Sequence, residues 1–277
     1  MMKKNPLKIA LRRATGLGLP SAPEIECFGM DGEEIVANLL WEHFDCVIRN
    51  VAVPHKELYL EKDFAVVYRG VIFVLEVKNW KGEIGIAENG FYQRKENGVY
   101  KTVKNPAGTT RQFIQRMQTF YHLDCPVVGI VVFAEPDCRL SLPEQLDGIA
   151  LLRAEQLISY IRHQGAQIGV AKSTVNPACL LRCTRLYSRD SEFCKGILAD
   201  TYLECLTEDG TPARLDTTKL RYLTAEHQPL RLRDKLYVTY ENGATGVFYN
   251  RDTVLTIGCL DGSFRKIALN RIRHIVF

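Results

Sequence analysis

Residues 63–80 read DFAVVYRGVIFVLEVKNW, and this stretch decides the fold. Two apolar runs flank an Arg-Gly pair, which predicts two strands joined by a turn. The second run, residues 71–78, is apolar on both faces until its end, as expected for a central strand. Charged side chains stand at Asp63, Glu76 and Lys78, where a buried strand normally carries none. The sequence therefore predicts a buried strand pair that ends in a cluster of charges.

Glu76 and Lys78 are separated by one residue. Because side chains alternate along a strand, both point to the same face of the sheet. A carboxylate and an ammonium are costly to bury unless something uses them, and a divalent metal ion or a phosphodiester would. The alternative is an ordinary ion pair at a strand end that faces water.

The flanking segments predict an α/β layer around these strands. A helix is expected over residues 31–44, with Asp31 as a plausible N-cap, because apolar residues recur on one helical face. The other expected elements are strands at 45–54 and 58–70, hairpins at 82–103, a helix at 110–123, a strand at 126–135, and a strand followed by a helix at 148–164. Strands and helices that interleave after an antiparallel meander indicate a mixed sheet flanked by helices.

The region after about residue 170 is rich in strand and turn patterns and contains an internal repeat. Residues 195–223 align without gaps with the segment that starts at Val247, at an offset of 52 residues. Asp209-Gly210 matches Asp261-Gly262, and Asp-Gly is a hairpin turn signal. The pattern predicts a duplicated β-module, as two small barrels or two halves of one, with chance similarity as the alternative.

We therefore predict three parts. Residues 1–24 form a basic leader, either disordered or an arm that contacts phosphates; residues 25–170 form an α/β domain; residues 171–277 form the duplicated β-module. The boundary near residue 170 rests on a segment with few periodic cues.

Charge, hydropathy and cysteine content narrow the function classes. The net charge of +4 over 277 residues permits nucleic-acid binding. No apolar run approaches the roughly 20 residues that cross a bilayer, so we expect no membrane association. The nine cysteines include no Cys-x-x-Cys pair, which argues against a zinc site and favours free thiols in the cytoplasm.

Residues from about Gly29 to Leu123 resemble the nuclease-related domain (NERD), a family of the PD-(D/E)xK phosphodiesterase superfamily. The resemblance rests on Gly32-Glu33 at the helix entry, Glu61-Lys62-Asp63 on a strand, the run GVIFVLEVKNW, and Asn105-Pro106 followed by glutamines. It implies a restriction-endonuclease-like mixed sheet with an acidic residue of the first helix beside the charged strand ends.

The resemblance also implies a metal site. Asp63, Glu76 and the backbone carbonyl of Val77 would hold Mg²⁺ or Mn²⁺, which prefer oxygen ligands. Lys78 would orient the attacking water and offset charge on the phosphate. Glu33 would hold a second metal or a water.

Two assignments stay open in this comparison. The helix acid is Glu33 or its neighbour Glu34, and the helix glutamine near the site is Gln112 or Gln115, with Gln112 favoured.

The resulting hypothesis is a metal-dependent nuclease that hydrolyses DNA, in repair or in defence against foreign DNA, with a substrate-binding or regulatory β-module. The tail of that module faintly resembles WYL-type domains over about fifteen residues. The alternative is a protein that keeps the nuclease fold but only binds nucleic acid or senses a nucleotide. The sequence leaves open whether the protein forms a homodimer.

Overall fold

The computed structural model describes residues 22–56, 58–87, 90–94, 98–168, 180–187, 192–200, 202–228, 233–250, 253–258 and 263–277. Most of the predicted leader and the predicted boundary near residue 170 lie outside these ranges. No described helix is long and apolar enough to cross a membrane. Five of the described cysteines form no disulfide: Cys46, Cys125, Cys138, Cys183 and Cys205.

Among the described residues, the N-terminal part is an α/β domain with three helices and ten strands. The helices are α1 (Ala22–His43), α2 (Pro106–Phe120) and α3 (Ala154–Ile168). The strands are β1 (Val47–His55), β2 (Leu58–Tyr68), β3 (Val71–Lys78), β4 (Glu83–Ala87), β5 (Gly90–Arg94), β6 (Tyr100–Val103), β7 (Val127–Phe133), β8 (Arg139–Ser141), β9 (Gln145–Leu146) and β10 (Ile149–Arg153).

The main sheet is mixed, as the sequence predicted. β1, β2 and β3 form an antiparallel meander, β7 lies parallel to β3, and β10 lies parallel to β7. The strand β3 is therefore central and buried on both faces. Helices α1 and α3 cover one face, and α2 covers the other. Beside this layer, β6, β5, β4 and β8 form a separate four-stranded sheet.

Two helices begin earlier than predicted. The helix α1 begins at Ala22, so Asp31 lies inside the helix and is not its N-cap. The helix α2 begins at Pro106, four residues before the predicted start, because Asn105 caps it. The side chain of Asn105 accepts hydrogen bonds from the amides of Ala107 and Gly108, and proline is favoured at the first helical position.

The C-terminal module is β-rich. Its strands are β11 (Leu181–Tyr187), β12 (Glu192–Leu198), β13 (Tyr202–Leu206), β14 (Pro212–Asp216), β15 (Leu220–Gln228), β16 (Arg233–Tyr240), β17 (Thr245–Asn250), β18 (Val254–Gly258), β19 (Phe264–Ala268) and β20 (His274–Val276). Short 3₁₀ turns at Thr217–Lys219 and Leu269–Arg271 follow β14 and β19.

In the part of the module that the structure describes, the strands form two copies of one five-stranded unit. β13, β14 and the turn after them correspond, residue for residue at an offset of 52, to β18, β19 and their turn. The pairing register also repeats: Cys183 pairs with Ile197 in the first copy, and Lys235 pairs with Tyr249 in the second. This is the internal duplication found in the sequence, although Asp261-Gly262 lies outside the described residues.

The two copies exchange strands. β13 of the first copy pairs with β17 of the second, and β18 of the second pairs with β12 of the first. β15 and β20 pair at the centre, where Leu223 lies opposite Ile275, its own equivalent. The two copies therefore build one pseudo-symmetric body around one shared core, not two separate barrels.

The module also extends the main sheet of the α/β domain. Val51 and Ala52 of β1 pair with Arg182 and Leu181 of β11, so one continuous sheet runs through both parts. The hydroxyl of Tyr121, at the end of α2, supports this junction, since it donates to the Ala52 carbonyl and accepts from the Leu181 amide, both at 2.8 Å.

Candidate active site

The strands β2 and β3 separate where their charged residues lie. Their regular ladder runs from Tyr68 opposite Val71 to Phe64 opposite Leu75, and no further pair is formed. Beyond that point the carboxylate of Asp63 accepts the backbone N–H of Val77 at 2.6 Å. A side chain thus takes the hydrogen bond that a backbone carbonyl of β2 would otherwise receive.

The carbonyl of Val77 faces the same gap. Two residues of β3 direct their backbone groups toward β7. The amide of Ile72 donates to the Pro126 carbonyl, and the carbonyl of Lys78 accepts from the Ala134 amide. Alternate residues of an antiparallel strand direct both backbone groups to the same neighbouring strand. The N–H and the carbonyl of Val77 therefore both point toward β2.

Glu76 lies between two lysines. Lys62 donates to Oε2 of Glu76 at 2.6 Å, and Lys78 bonds Oε1. Only 15 % of the Glu76 side chain is exposed, against 6 % for Lys62 and 24 % for Lys78. Glu76 and Lys78 share one face of the strand, as the period-two argument predicted.

Lys62 links this cluster to the helix α2. Its ammonium also donates to the hydroxyl of Thr109 at 3.3 Å, in the first turn of that helix. We assigned no role to Lys62 from the sequence, although a lysine beside Asp63 in an apolar strand was the available signal.

Glu33 reaches the cluster from α1. The preceding Gly32 packs against Asn79, just after β3, so closely that a Cβ there would lie 2.7 Å from the Asn79 Cβ. This contact brings α1 to the carboxyl end of β3 and puts Glu33 within electrostatic range of Asp63, Glu76 and Lys78.

Glu34 has different neighbours. It accepts hydrogen bonds from Arg49 at 3.1 Å and from the Tyr222 hydroxyl at 3.0 Å, and it forms an ion pair with Arg221. Tyr222 and Arg221 belong to β15. The two adjacent acids of α1 therefore lie in different surroundings: Glu33 near the charged cluster, and Glu34 against β15.

Gln112 and Gln115 are both exposed on α2. Together with Pro54, Arg116, Thr119 and Phe120 they line a surface groove. The described contact between α2 and the charged cluster is made by Thr109, one helical turn before Gln112.

Burial and neighbouring charge strongly perturb Asp63. Burial raises the pKa of its carboxyl to about 8, and the negative charges of Glu76 and Glu33 act in the same direction. The positive charge of Lys78 and the hydrogen bond from Val77 oppose this rise. Without a further cation, Asp63 is protonated at neutral pH.

Burial dominates the pKa shift of Glu33, whereas neighbouring charges dominate the pKa shifts of Glu76 and Lys78. Burial raises the pKa of Glu33, and Glu76 adds to the rise against the charge of Arg49 and its neighbours. Burial acts to raise the pKa of Glu76 as well, but Lys78 and Lys62 lower it overall. Burial acts to lower the pKa of Lys78, but the carboxylates of Glu76 and Asp63 raise it overall.

The candidate metal ligands at this site are all oxygen atoms. Among the described residues, no group of three or more His, Cys, Asp or Glu side chains could hold a metal ion. Asp63 and Glu76 each lie one residue beyond the last pair of the β2–β3 ladder, next to the gap toward which the Val77 carbonyl points, and the charge of Glu76 acts on Asp63. Such oxygens suit Mg²⁺ or Mn²⁺, and a divalent cation would relieve the repulsion among the acids.

A mixed sheet whose central strand ends in this cluster, with an acidic helix residue beside it, is the arrangement that the resemblance to the nuclease-related domain implied. Residues 28–134 match the family described as the nuclease-related domain, NERD. The chain therefore contains a nuclease-related domain, as the resemblance in its sequence predicted. No curated protein and no solved structure matches the chain significantly.

Proposed function

We propose that the nuclease-related domain is a divalent-metal-dependent nuclease that hydrolyses phosphodiester bonds in DNA. One observation supports this proposal: Asp63, Glu76 and Lys78 lie just beyond the last pair of the β2–β3 ladder, where Asp63 bonds the Val77 amide at 2.6 Å and Lys78 bonds Glu76. An isolated surface ion pair would need no second, half-buried carboxylate held against a strand amide.

Asp63, Glu76 and the carbonyl of Val77 are the groups that would hold Mg²⁺ or Mn²⁺. When bound, such an ion polarises the scissile phosphate and lowers the pKa of a water molecule. Asp63 would lose its proton on binding, because the cation favours the charged carboxylate.

Lys78 is the group that would act on the substrate side. Its pKa is raised by Glu76 and Asp63, so it remains charged at neutral pH and can donate to a phosphate oxygen or orient a water. Lys62 is more deeply buried and bonds Glu76 and Thr109, which suits holding Glu76 in place. Glu33 would bind a second cation or a water at the same edge.

Gln112 is proposed to contact the substrate and not the metal, because its exposed side chain lines a surface groove beside Arg116. A nucleic acid that followed this groove would meet polar and positive groups.

The C-terminal module would bind or regulate the substrate. Several of its basic residues are exposed: Arg265, Lys266, Arg271 and Arg273. Such side chains can neutralise phosphates, and binding through them weakens as salt rises.

The test is DNA cleavage by the double variant Glu76→Ala, Lys78→Ala in Mg²⁺ or Mn²⁺. We expect a rate loss of at least about 10³-fold, because both a metal ligand and a charge-stabilising group are removed. The matched control is Glu204→Ala, Arg214→Ala, which removes an exposed carboxylate–guanidinium pair of the module. Cutting by the site variant at the control's rate would remove these residues from the mechanism.

A second candidate is a protein that binds nucleic acid without cleaving it. It is favoured by one observation, namely that Glu76 is already neutralised by two lysines. This candidate predicts salt-sensitive DNA binding that survives chelation, with no product at any metal concentration.

A further inference from the structure

Adjacent acids of α1 connect two parts of the molecule. Glu33 lies in the electrostatic range of the Asp63 cluster, whereas Glu34 bonds residues of the C-terminal module. Because the two residues are neighbours in one helix, contacts that hold the Glu34 side chain also fix the backbone that carries Glu33.

The module holds Glu34 with two consecutive residues of β15. The Tyr222 hydroxyl donates to Oε1 at 3.0 Å, and the guanidinium of Arg221 pairs with Oε2. Tyr222 is itself fixed, since its ring stacks on His274 at a centroid distance of 5.6 Å and an interplanar angle of 22°. The Arg221 side chain is 12 % exposed and the Glu34 side chain 28 %, so the pair is partly shielded from solvent.

A second contact fixes the rotation of the same helix. Trp41 lies about two turns after Glu34 on α1, and the guanidinium of Arg221 lies 5.8 Å from the Trp41 ring centroid. The guanidinium of Arg49 lies 5.2 Å from the same centroid and also bonds Glu34. Two separated contacts along the helix leave it little freedom to turn about its axis.

The module also reaches the strand side of the site. Arg185 of β11 bonds Glu61 at 3.0 Å, two residues before Asp63 on β2. The positive charge of Arg185 also acts on the carboxyl of Glu33. Both elements that carry the acids, α1 and β2, are therefore held by the same module.

We propose that the C-terminal module positions Glu33 for metal binding, by holding Glu34 through Tyr222 and Arg221. Tyr222 and Arg221 are positioning residues, since their described contacts with α1 are to Glu34 and Trp41 and not to the proposed ligands. The inference rests on the proposed function, because it gives the module a role at the nuclease site.

The experiment compares Mn²⁺ affinity of the full chain in four forms: wild type, Tyr222→Phe, Glu33→Gln and the combination of the two. Calorimetric titration without DNA gives the dissociation constants, and cleavage is measured separately. We expect Tyr222→Phe to weaken Mn²⁺ binding by about tenfold, as loss of a partner behind a metal ligand commonly does. In the Glu33→Gln background the same change should have no further effect, because the two residues act through one path.

Tyr237→Phe is the matched control. The Tyr237 hydroxyl donates to Glu226 at 2.9 Å, within the same module but away from α1. This variant should bind Mn²⁺ as the wild type does.

The outcomes separate the two proposals. Wild-type binding and cleavage with an unchanged Tyr222→Phe variant would overturn the positioning role alone. Equal weakening by Tyr222→Phe in both backgrounds would also overturn it, since that result indicates a general structural effect. A wild-type chain that binds no Mn²⁺ would overturn both this inference and the nuclease proposal.

Discussion

The carboxylate of Asp63 occupies the place of a backbone carbonyl, accepting the Val77 amide at 2.6 Å where β2 and β3 separate. The β2–β3 ladder ends beside this hydrogen bond, and the Val77 carbonyl points into the gap because alternate residues of β3 direct both backbone groups toward β2. Burial and the nearby acids raise the pKa of the Asp63 carboxyl to about 8, against the opposing effect of this hydrogen bond. The proposed chemistry depends on that combination.

Replacing Asp63 by asparagine should change how stability depends on pH. In the metal-free wild type, the folded carboxyl (pKa about 8) holds a proton that the unfolded one (ordinary pKa 3.8) releases, so stability falls as pH rises between these values. On the order of 2 kcal/mol should be lost between pH 6 and pH 8 through this group. Asp63→Asn should lack that loss. Chemical denaturation at both pH values, in chelator, measures the difference; parallel pH profiles would contradict it.

Metal affinity should rise with pH up to about 8. Since Asp63 must lose its proton to bind a cation, affinity should increase by up to about tenfold per pH unit below its pKa and level off above it. Mn²⁺ titrations in buffers of different ionisation enthalpy should show the release of up to one proton at pH 7. If Mn²⁺ binds without releasing a proton, Asp63 is not a metal ligand that is protonated in the metal-free protein.

Gly32→Ala should destabilise the chain although alanine favours helices. The new Cβ would lie 2.7 Å from the Asn79 Cβ, and crowding of this kind costs about 1–3 kcal/mol. The matched control is Gly108→Ala in α2, where the nearest atom is 3.6 Å away and the change should be neutral or stabilising by up to about 1 kcal/mol. Denaturation midpoints check both. Equal effects at the two sites would show that α1 does not approach β3 this closely.

Asn50 should contribute to docking of the module. It has a positive φ of 52°, and its side-chain amide donates to the Phe277 carbonyl at 2.9 Å. Asn50→Gly loses only the buried hydrogen bond, for about 1–3 kcal/mol, whereas Asn50→Ala also meets backbone strain of about 1 kcal/mol. We expect the free energy of unfolding to decrease from the wild type to the glycine variant, and further to the alanine variant. An alanine variant as stable as the glycine variant would contradict the strained backbone.

The sequence was sufficient for the α/β layer because its signals are local. The apolar run of β3 between charged ends, and the Asp-Gly repeat at an offset of 52 residues, depend on neighbours along the chain. The pseudo-symmetric strand exchange could not be predicted, because equivalent strands of two copies carry equivalent pairing patterns. Which copy a strand pairs with is decided by the shared core.

The candidate site was predictable in its strand residues and less so in its helix residues. Asp63, Glu76 and Lys78 are fixed by strand periodicity. The different surroundings of Glu33 and Glu34 depend on where α1 meets β15, which lies almost 190 residues further along the chain. The early start of α2 also shifts which of its residues meets the cluster, so that Thr109 makes the described contact with Lys62.

The most direct measurement is cleavage of plasmid DNA by the purified full chain and by Lys78→Met, each with Mg²⁺ and with excess chelator. The account predicts products from the wild type only with the metal, and a rate at least about 10²-fold lower for Lys78→Met with its fold intact. Wild-type cutting that persists in chelator, or a Lys78→Met variant as fast as the wild type, would contradict the proposed metal-dependent nuclease site.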